Sequence, residues 1–361
     1  MSRQKIIFLA FTGQSIDQPQ PVFEIQDGYE CWDLKKFTLD EFIGALKNKI
    51  PPINDNVLRH YKTEDATGDI YGITEKQYQE CSWGLLIPED LESSLVDSYS
   101  EIRFLFNLYS PTFLYPLFYA SDFGIIRQIY SRGIFEFAHF QNQSHIFKTT
   151  GFVSFFKTLF PQGQYGTWQL DRIQKWNDED WRLFVAGWLY SGLKEYDNSK
   201  NSLGWQRESA DMASILEALF TAGDSQNEEV GYRLRKRIAT LLFWKFPTIE
   251  KDIKELYSQR SAFVHGSFFA QIAKDSKHSY NNLPTPDFNL LYKQKEYVRL
   301  ALVSYFHLAK LIQEKPIEFK NCKTVISALE QAVIDVELRG KLIAEISSLF
   351  SFMPEPDFKI F

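Results

Sequence analysis

Cysteine is scarce in this chain: there are three, Cys31, Cys81 and Cys322, far apart and odd in number. That argues against a disulfide framework and a Cys-type zinc site, and it leads us to expect a reduced, cytoplasmic setting. Histidine is nearly as sparse, six in 361 residues, and His139 and His145 stand too isolated to build a metal site. Positive charge in excess is missing as well. The formal net charge is −6, so this is no general polyanion binder, and any nucleic-acid contact has to come from a local basic patch. Long apolar runs are also lacking. Ile6 to Phe11 is too short for a signal-peptide core, and no small-residue cleavage site follows it. Phe113 to Ala120 contains Pro116 and falls far short of the roughly 20 residues that cross a bilayer, so no membrane segment is expected. There is no phosphate-cradling glycine loop, no His-Glu-x-x-His and no Gly-x-Ser-x-Gly, and hence no motif that calls for a cofactor or a metal.

Aromatic residues, by contrast, are abundant, with 32 Phe, 18 Tyr and 8 Trp, densest between Phe104 and Phe160. Their main use is buried area, so the chain can build large cores. Its length allows two domains. The first part reads as mixed α and β. Ile6–Phe11 and Val22–Ile25 are short strands around a polar turn, Phe37 to Lys49 has helical spacing before Pro51-Pro52, and Trp83–Ile87 is a further strand. A helix is expected from Asp90 to Phe106. Pro111 to Gly124, interrupted by prolines, reads as a buried loop or short helical piece.

Beyond about residue 165 the pattern turns helical. Asn177 to Asp180 caps a helix through Tyr190, and others follow over Glu208–Thr221, Tyr232–Trp244 and Thr248–Val264. A polar insertion from Lys274 to Asp287 precedes two long helices, Leu290–Gln313 and Cys322–Phe350. The expected class is therefore α+β but predominantly α-helical, with a strand-containing domain over residues 1–165 and an all-α domain over 166–361.

One helix carries the functional argument. Ile249, Ile253, Leu256, Tyr257, Phe263 and Val264 mark one face of the segment before Gly266. Arg260 falls on that face, where an unpaired charge is costly. It must snorkel, pair with an internal carboxylate or face a cleft that takes an anion. Glu217, set between Leu216 and Ala218 on an apolar helix, is the candidate carboxylate. His265 closes the helix and Gly266 is a natural stop. At 100° per residue, Arg260 and His265 stand about 140° apart. Either the last turn deforms, or the arginine reaches round, or two copies of the chain complete one site. Ser261, four before His265, shares its face and can orient its ring.

Arg260-Ser261-Ala262-Phe263-Val264-His265-Gly266 resembles the Arg-x4-His signature of HEPN domains. The helix Ile215–Phe220 with its central Glu217, and the basic helix Tyr232–Leu242, are similar to the first two helices of the Apea-like branch of that superfamily. The resemblance covers roughly residues 180 to 315 and touches the Tyr109-Ser110-Pro111 to Phe118 run weakly. The spacing alone is unspecific, since Arg132 and His139 nearly repeat it; the surrounding helices make the case.

The resemblance implies a C-terminal HEPN-type helical bundle and a metal-independent endoribonuclease that leaves 2′,3′-cyclic phosphate ends. His265 would do the proton work and Arg260 would meet the charge developing on the phosphorane, with Glu217 and Ser261 orienting them. It also implies a homodimer, RNA (tRNA included) as the partner, no cofactor, and a role in antiviral defence or as a toxin-like effector, with a trigger or regulatory partner acting at the N-terminal domain. Arg233, Arg235, Lys236 and Arg237 are the candidate RNA contacts: Glu228 to His265 holds eight Lys/Arg against five Asp/Glu. The alternative is a non-catalytic HEPN-type module that dimerises or binds RNA or protein.

Overall fold

The computed structural model describes residues 5–12, 20–26, 29–49, 70–71, 75–89, 108–109, 116–121, 124–127, 154–155, 178–195, 204–221, 230–267 and 287–354. The chain divides into two compact units, Met1–Tyr165 with Phe352–Pro354, and Gly166–Ser351 with Glu355–Phe361. Taken together the described elements are mostly helical, with β structure confined to the first unit.

In the first unit, β1 (Lys5–Thr12), β2 (Val22–Gln26), β3 (Tyr29–Asp33), β4 (Ile70–Tyr71), β5 (Cys81–Glu89), β6 (Pro116–Ser121) and β7 (Gly124–Arg127) join in the order β2-β3-β5-β1-β6-β7-β4. Every pairing is antiparallel. Helix α1 (Leu39–Lys49) starts with a reciprocal cap, in which Thr38 N–H donates to Glu41 at 2.8 Å and Glu41 N–H donates to the Thr38 hydroxyl at 3.3 Å. It buries Phe42, Ile43 and Leu46 against Trp32 and Leu86, and Tyr78 on the short α2 (Glu75–Glu80) closes the cluster. The Tyr78 hydroxyl satisfies the Leu34 carbonyl at 2.9 Å.

One expectation is corrected here. The proline-broken stretch from Pro111 to Gly124 is not a loop or helical piece over its second half, which forms β6 and the start of β7. Pro116 is tolerated because it occupies the first position of its strand, opposite Phe11 where the register shifts, so its missing N–H interrupts no regular ladder. The helix expected from Asp90 to Phe106, the Arg132–His139 pair and the insertion from Lys274 to Asp287 lie outside the described residues, Asp287 itself excepted.

Among the described residues the second unit holds the helices α3 (Asp178–Glu195), α4 (Gly204–Phe220), α5 (Val230–Leu242), α6 (Ile249–Val264), α7 (Phe288–Glu314), α8 (Val325–Ile334) and α9 (Val336–Ser351). Helix α7 is central. Glu296 to Tyr305 are buried without interruption, nearly three turns with no solvent face, and each of the other described helices of the unit touches it. Phe220 of α4 meets Tyr305 edge-on at 5.5 Å, and Phe246 meets Tyr297 at 5.0 Å.

Several polar groups inside this core are paired. Arg299 Nε donates to Glu296 at 2.8 Å, and the buried Asp252 of α6 accepts from the Tyr297 hydroxyl at 2.7 Å and from Thr248 at 2.8 Å. His307, also on α7, is buried with Nδ1 unpartnered among the described residues. Its Nε2 lies 4.0 Å from Glu345 of α9. Desolvation, helped by Lys310 and Lys315, brings its pKa down to about 4.

The single helix expected from Cys322 to Phe350 is two. Thr324 and Ser327 form a capping box that opens α8. Asp335 then takes extended backbone angles, ending α8 through its N–H to Gln331. Its carboxylate accepts the Leu338 N–H at 3.0 Å to begin α9. Lys320 Nζ, 2.6 Å away, neutralises that carboxylate, and these neighbours hold the Asp335 pKa below its usual range.

Candidate active site on the second unit

Helix α6 begins at Thr248, whose hydroxyl bonds Asp252, and runs unbroken to Val264. Ile249, Ile253 and Leu256 are buried as the spacing requires. The stripe then leaves the core: Phe263 is half-buried and Val264 is 55 % exposed. Arg260 lies at this transition, about a quarter exposed. Its Nη2 is 3.3 Å from Oε2 of Glu217, which is exposed to a similar extent on α4. The carboxylate that looked costly on an apolar helix and the arginine that looked costly on another are thus neighbours, and each offsets the other's desolvation.

The pairing spends only part of the guanidinium. Among the described residues Nε, which is buried, has no acceptor, and Nη2 carries the one ion pair of the group.

Tyr257, one turn before Arg260, was counted among the apolar positions and does more. Arg260 Cζ lies 5.8 Å from the centre of its ring, within reach of a cation–π contact. Burial, and then the charge of the nearby Glu217 carboxylate, raise the phenol pKa. The spacing of three residues to Arg260 was the available signal, because such residues are neighbours on a helix surface. Gly231 of α5 completes the surround, since a Cβ there would come within 3.3 Å of Tyr257 Cε1.

His265 is the C-cap of α6. Its N–H donates to the Ser261 carbonyl at 3.0 Å, and Gly266 follows at φ +71°, the left-handed value that ends a helix and favours glycine. The imidazole is exposed and makes no hydrogen bond or ion pair among the described residues. The Ser261 hydroxyl makes none either, so within the chain it does not orient the ring. With α6 regular to its end, the roughly 140° between Arg260 and His265 is not removed by deformation of the helix.

Of the four basic candidates on α5, three reach the surface in part. Arg235 and Lys236 lie 6.0 and 5.6 Å from the ring centre of Tyr232, itself 53 % exposed, and Arg233 is half-buried. Lys236 also pairs with Glu250 of α6 at 3.0 Å. Arg237 is different. It is 5 % exposed, and its guanidinium joins the Phe220 carbonyl at the end of α4 to Glu330 of α8. The signal was present in the spacing, because Leu234, Arg237, Ile238 and Leu241 form one stripe.

Among the described residues no group of three or more His, Cys, Asp or Glu is placed to hold a metal ion, and no helix is long and apolar enough to cross a membrane. Comparison with protein families, with curated proteins and with solved structures yields no match, so the chemistry has to be argued from the side chains themselves.

Proposed function

We propose that the second unit is a HEPN-type, metal-independent endoribonuclease that cuts RNA to 2′,3′-cyclic phosphate and 5′-hydroxyl ends. The observation that carries this reading is the state of Arg260: paired with Glu217, a quarter exposed and with guanidinium donors that no described residue accepts, on the helix whose end presents an exposed His265 with no partner among the described residues. Arginine's planar donors suit phosphate oxygens, and histidine near neutral pH suits removal of the ribose 2′-proton. The cation would stabilise the charge that grows on the phosphorane as the 2′-oxygen attacks.

The angle between the two side chains is met by a homodimer in which Arg260 of one copy works with His265 of the other. Val264, apolar and exposed beside His265, is the kind of side chain such a contact buries. Arg233, Arg235 and Lys236 would hold flanking phosphates; Arg237 is withdrawn from that role by its burial. The first unit would sense a trigger or present the substrate, in a cytoplasmic defence or toxin-like system.

A second reading has its own observation. Because Arg260 already has a carboxylate partner inside the chain, the pair can be purely structural in a non-catalytic dimerisation or RNA- or protein-binding module.

The test is incubation of wild type and His265→Ala with total tRNA in EDTA, followed by mapping of the ends. Cleavage by wild type leaving cyclic phosphates, and absent in the variant, supports the nuclease. Equal cleavage by both removes His265 from the chemistry. Silence of both favours the binding module.

A further inference from the structure

We infer that the outer face of α5 is a landing surface for unpaired RNA, on which Tyr232 stacks a base while Arg235 meets a phosphate beside it. The choice of RNA rests on the nuclease reading; the surface itself is argued from α5.

A large ring on a helix that packs into a core usually turns inward, because it buries much apolar area there. Tyr232 does not. It is 53 % exposed, and the buried Leu234, Ile238 and Leu241 stand about 180 to 240° round the helix from it. Two cations of the same helix accompany the ring, Lys236 Nζ at 5.6 Å and Arg235 Cζ at 6.0 Å from its centre, within cation–π reach. Lys236 shares its charge with Glu250 of α6 at 3.0 Å. Arg235 is held differently. Its Nε donates to the Gly231 carbonyl at 3.1 Å, and its two Nη groups make no hydrogen bond or ion pair among the described residues.

Within one helical turn the surface thus offers an aromatic ring and open, charge-assisted donors. A nucleotide carries both complements, a flat base and an anionic phosphate. A duplex offers only the phosphate, because its base faces are already stacked on one another, whereas an unpaired strand can splay a base onto a side-chain ring. The ring therefore selects single-stranded over paired RNA.

The face continues. Phe243 lies eleven residues on, three turns and about 20° further round, which puts it on the Tyr232 side about 16 Å along the axis. Its N–H still bonds the Ala239 carbonyl at 2.9 Å, and the residue is 52 % exposed. A strand of a few nucleotides spans the two rings, with Lys236 between them. The near end of this track adjoins the candidate site. Gly231, next to Tyr232 in the chain, packs on the Tyr257 ring, whose centre is 5.8 Å from Arg260 Cζ.

The test uses the full chain and a short fluorescein-labelled 2′-O-methyl RNA, which cannot be cut, read by anisotropy as a single strand and annealed to its complement. Wild type should bind the single strand roughly tenfold more tightly than the duplex. Tyr232→Ala should weaken single-strand binding roughly tenfold with the slope of log K against log salt unchanged, because stacking releases no counterion. Tyr232→Trp, which restores a ring, should bind within about twofold of wild type. Phe243→Ala should weaken it as well. All variants are checked for melting temperature and for mass in solution.

If Tyr232→Ala binds like wild type, if duplex and single strand bind alike, or if the matching DNA strand binds more tightly, the inference is overturned. It is overturned too if wild type binds neither probe, or if Tyr232→Ala turns a dimer into a monomer, which would make the ring a contact between copies. Because the probe resists cleavage, the nuclease reading is judged apart from it. Failure of wild type to cut tRNA sinks that reading and leaves a single-strand binding surface, whereas cleavage with Tyr232→Ala binding unchanged sinks this inference and leaves the nuclease.

Discussion

His307 gives the sharpest test of the helical core, because its effect has a defined sign and a defined pH window. The side chain is 7 % exposed on the central helix α7, and burial together with Lys310 and Lys315 takes its pKa from the ordinary 6.5 to about 4. Glu345 pulls the other way, but at 4.0 Å it sits at the outer limit of an ion pair and desolvation prevails. The folded pKa therefore lies below the unfolded one. Above about pH 6.5 both states hold a neutral imidazole and the contribution to stability is complete. As the pH falls from there towards 4, the unfolded chain takes up a proton that the folded chain refuses, and stability is lost.

At about 1.4 kcal/mol per unit, lowering the pH from about 6.5 to 5 costs about 2 kcal/mol on account of this one residue. The perturbation is His307→Gln, which stays neutral throughout, and the assay is urea unfolding of both proteins near neutral pH and near pH 5. The wild type should lose about 2 kcal/mol more than the variant over that interval. Carboxylates elsewhere affect both proteins alike and cancel in the difference. Parallel losses, or an imidazole titrating near 6 in the folded protein by NMR, would refute the reasoning.

Other expectations are narrower. Arg237→Ala should cost about 3 kcal/mol of stability, by leaving the Phe220 carbonyl unmet and the core open, without a specific loss of RNA affinity. Arg235→Ala should do the reverse, leaving the melting temperature in place while the slope of log K against log salt falls by about one. Asp335→Ala removes the cap of α9 and one of the two carboxylates paired with Lys320, so a loss of about 1 kcal/mol is expected in urea melts. Gly231→Ala brings a methyl group onto Tyr257 near the start of α5, so cleavage should fall more than stability does, which kinetics set beside a thermal melt will show.

How much of this was legible in the sequence depended on whether the deciding force was local. The start and stop of α6 are local, written in Thr248 and in His265-Gly266, and both are present. The Glu217–Arg260 contact was readable because each charge is out of place on its own helix, so each asks for the other. The break at Asp335 was hidden. Apolar periodicity continues on both sides of it, and what stops α8 is a side chain spent on capping α9. Strand β6 was obscured by Pro116, whose position at the strand start becomes evident only with β1 beside it. Tyr257 reads as one more apolar position, because a ring that packs in a core and a ring that lies against an arginine look the same in a pattern of hydrophobicity.

The left-handed turn at Gly266 has a consequence for handedness. A Cβ built there meets nothing within 4 Å among the described residues, so it is the backbone angle that disfavours L-residues at this position. L-alanine would carry a strain of about 1 kcal/mol. D-alanine, introduced by peptide ligation, would be at home at φ +71° and would narrow the freedom of the unfolded chain as well. The loop that carries His265 is thus a place where a mirror-image residue should stiffen the protein and its natural counterpart should loosen it.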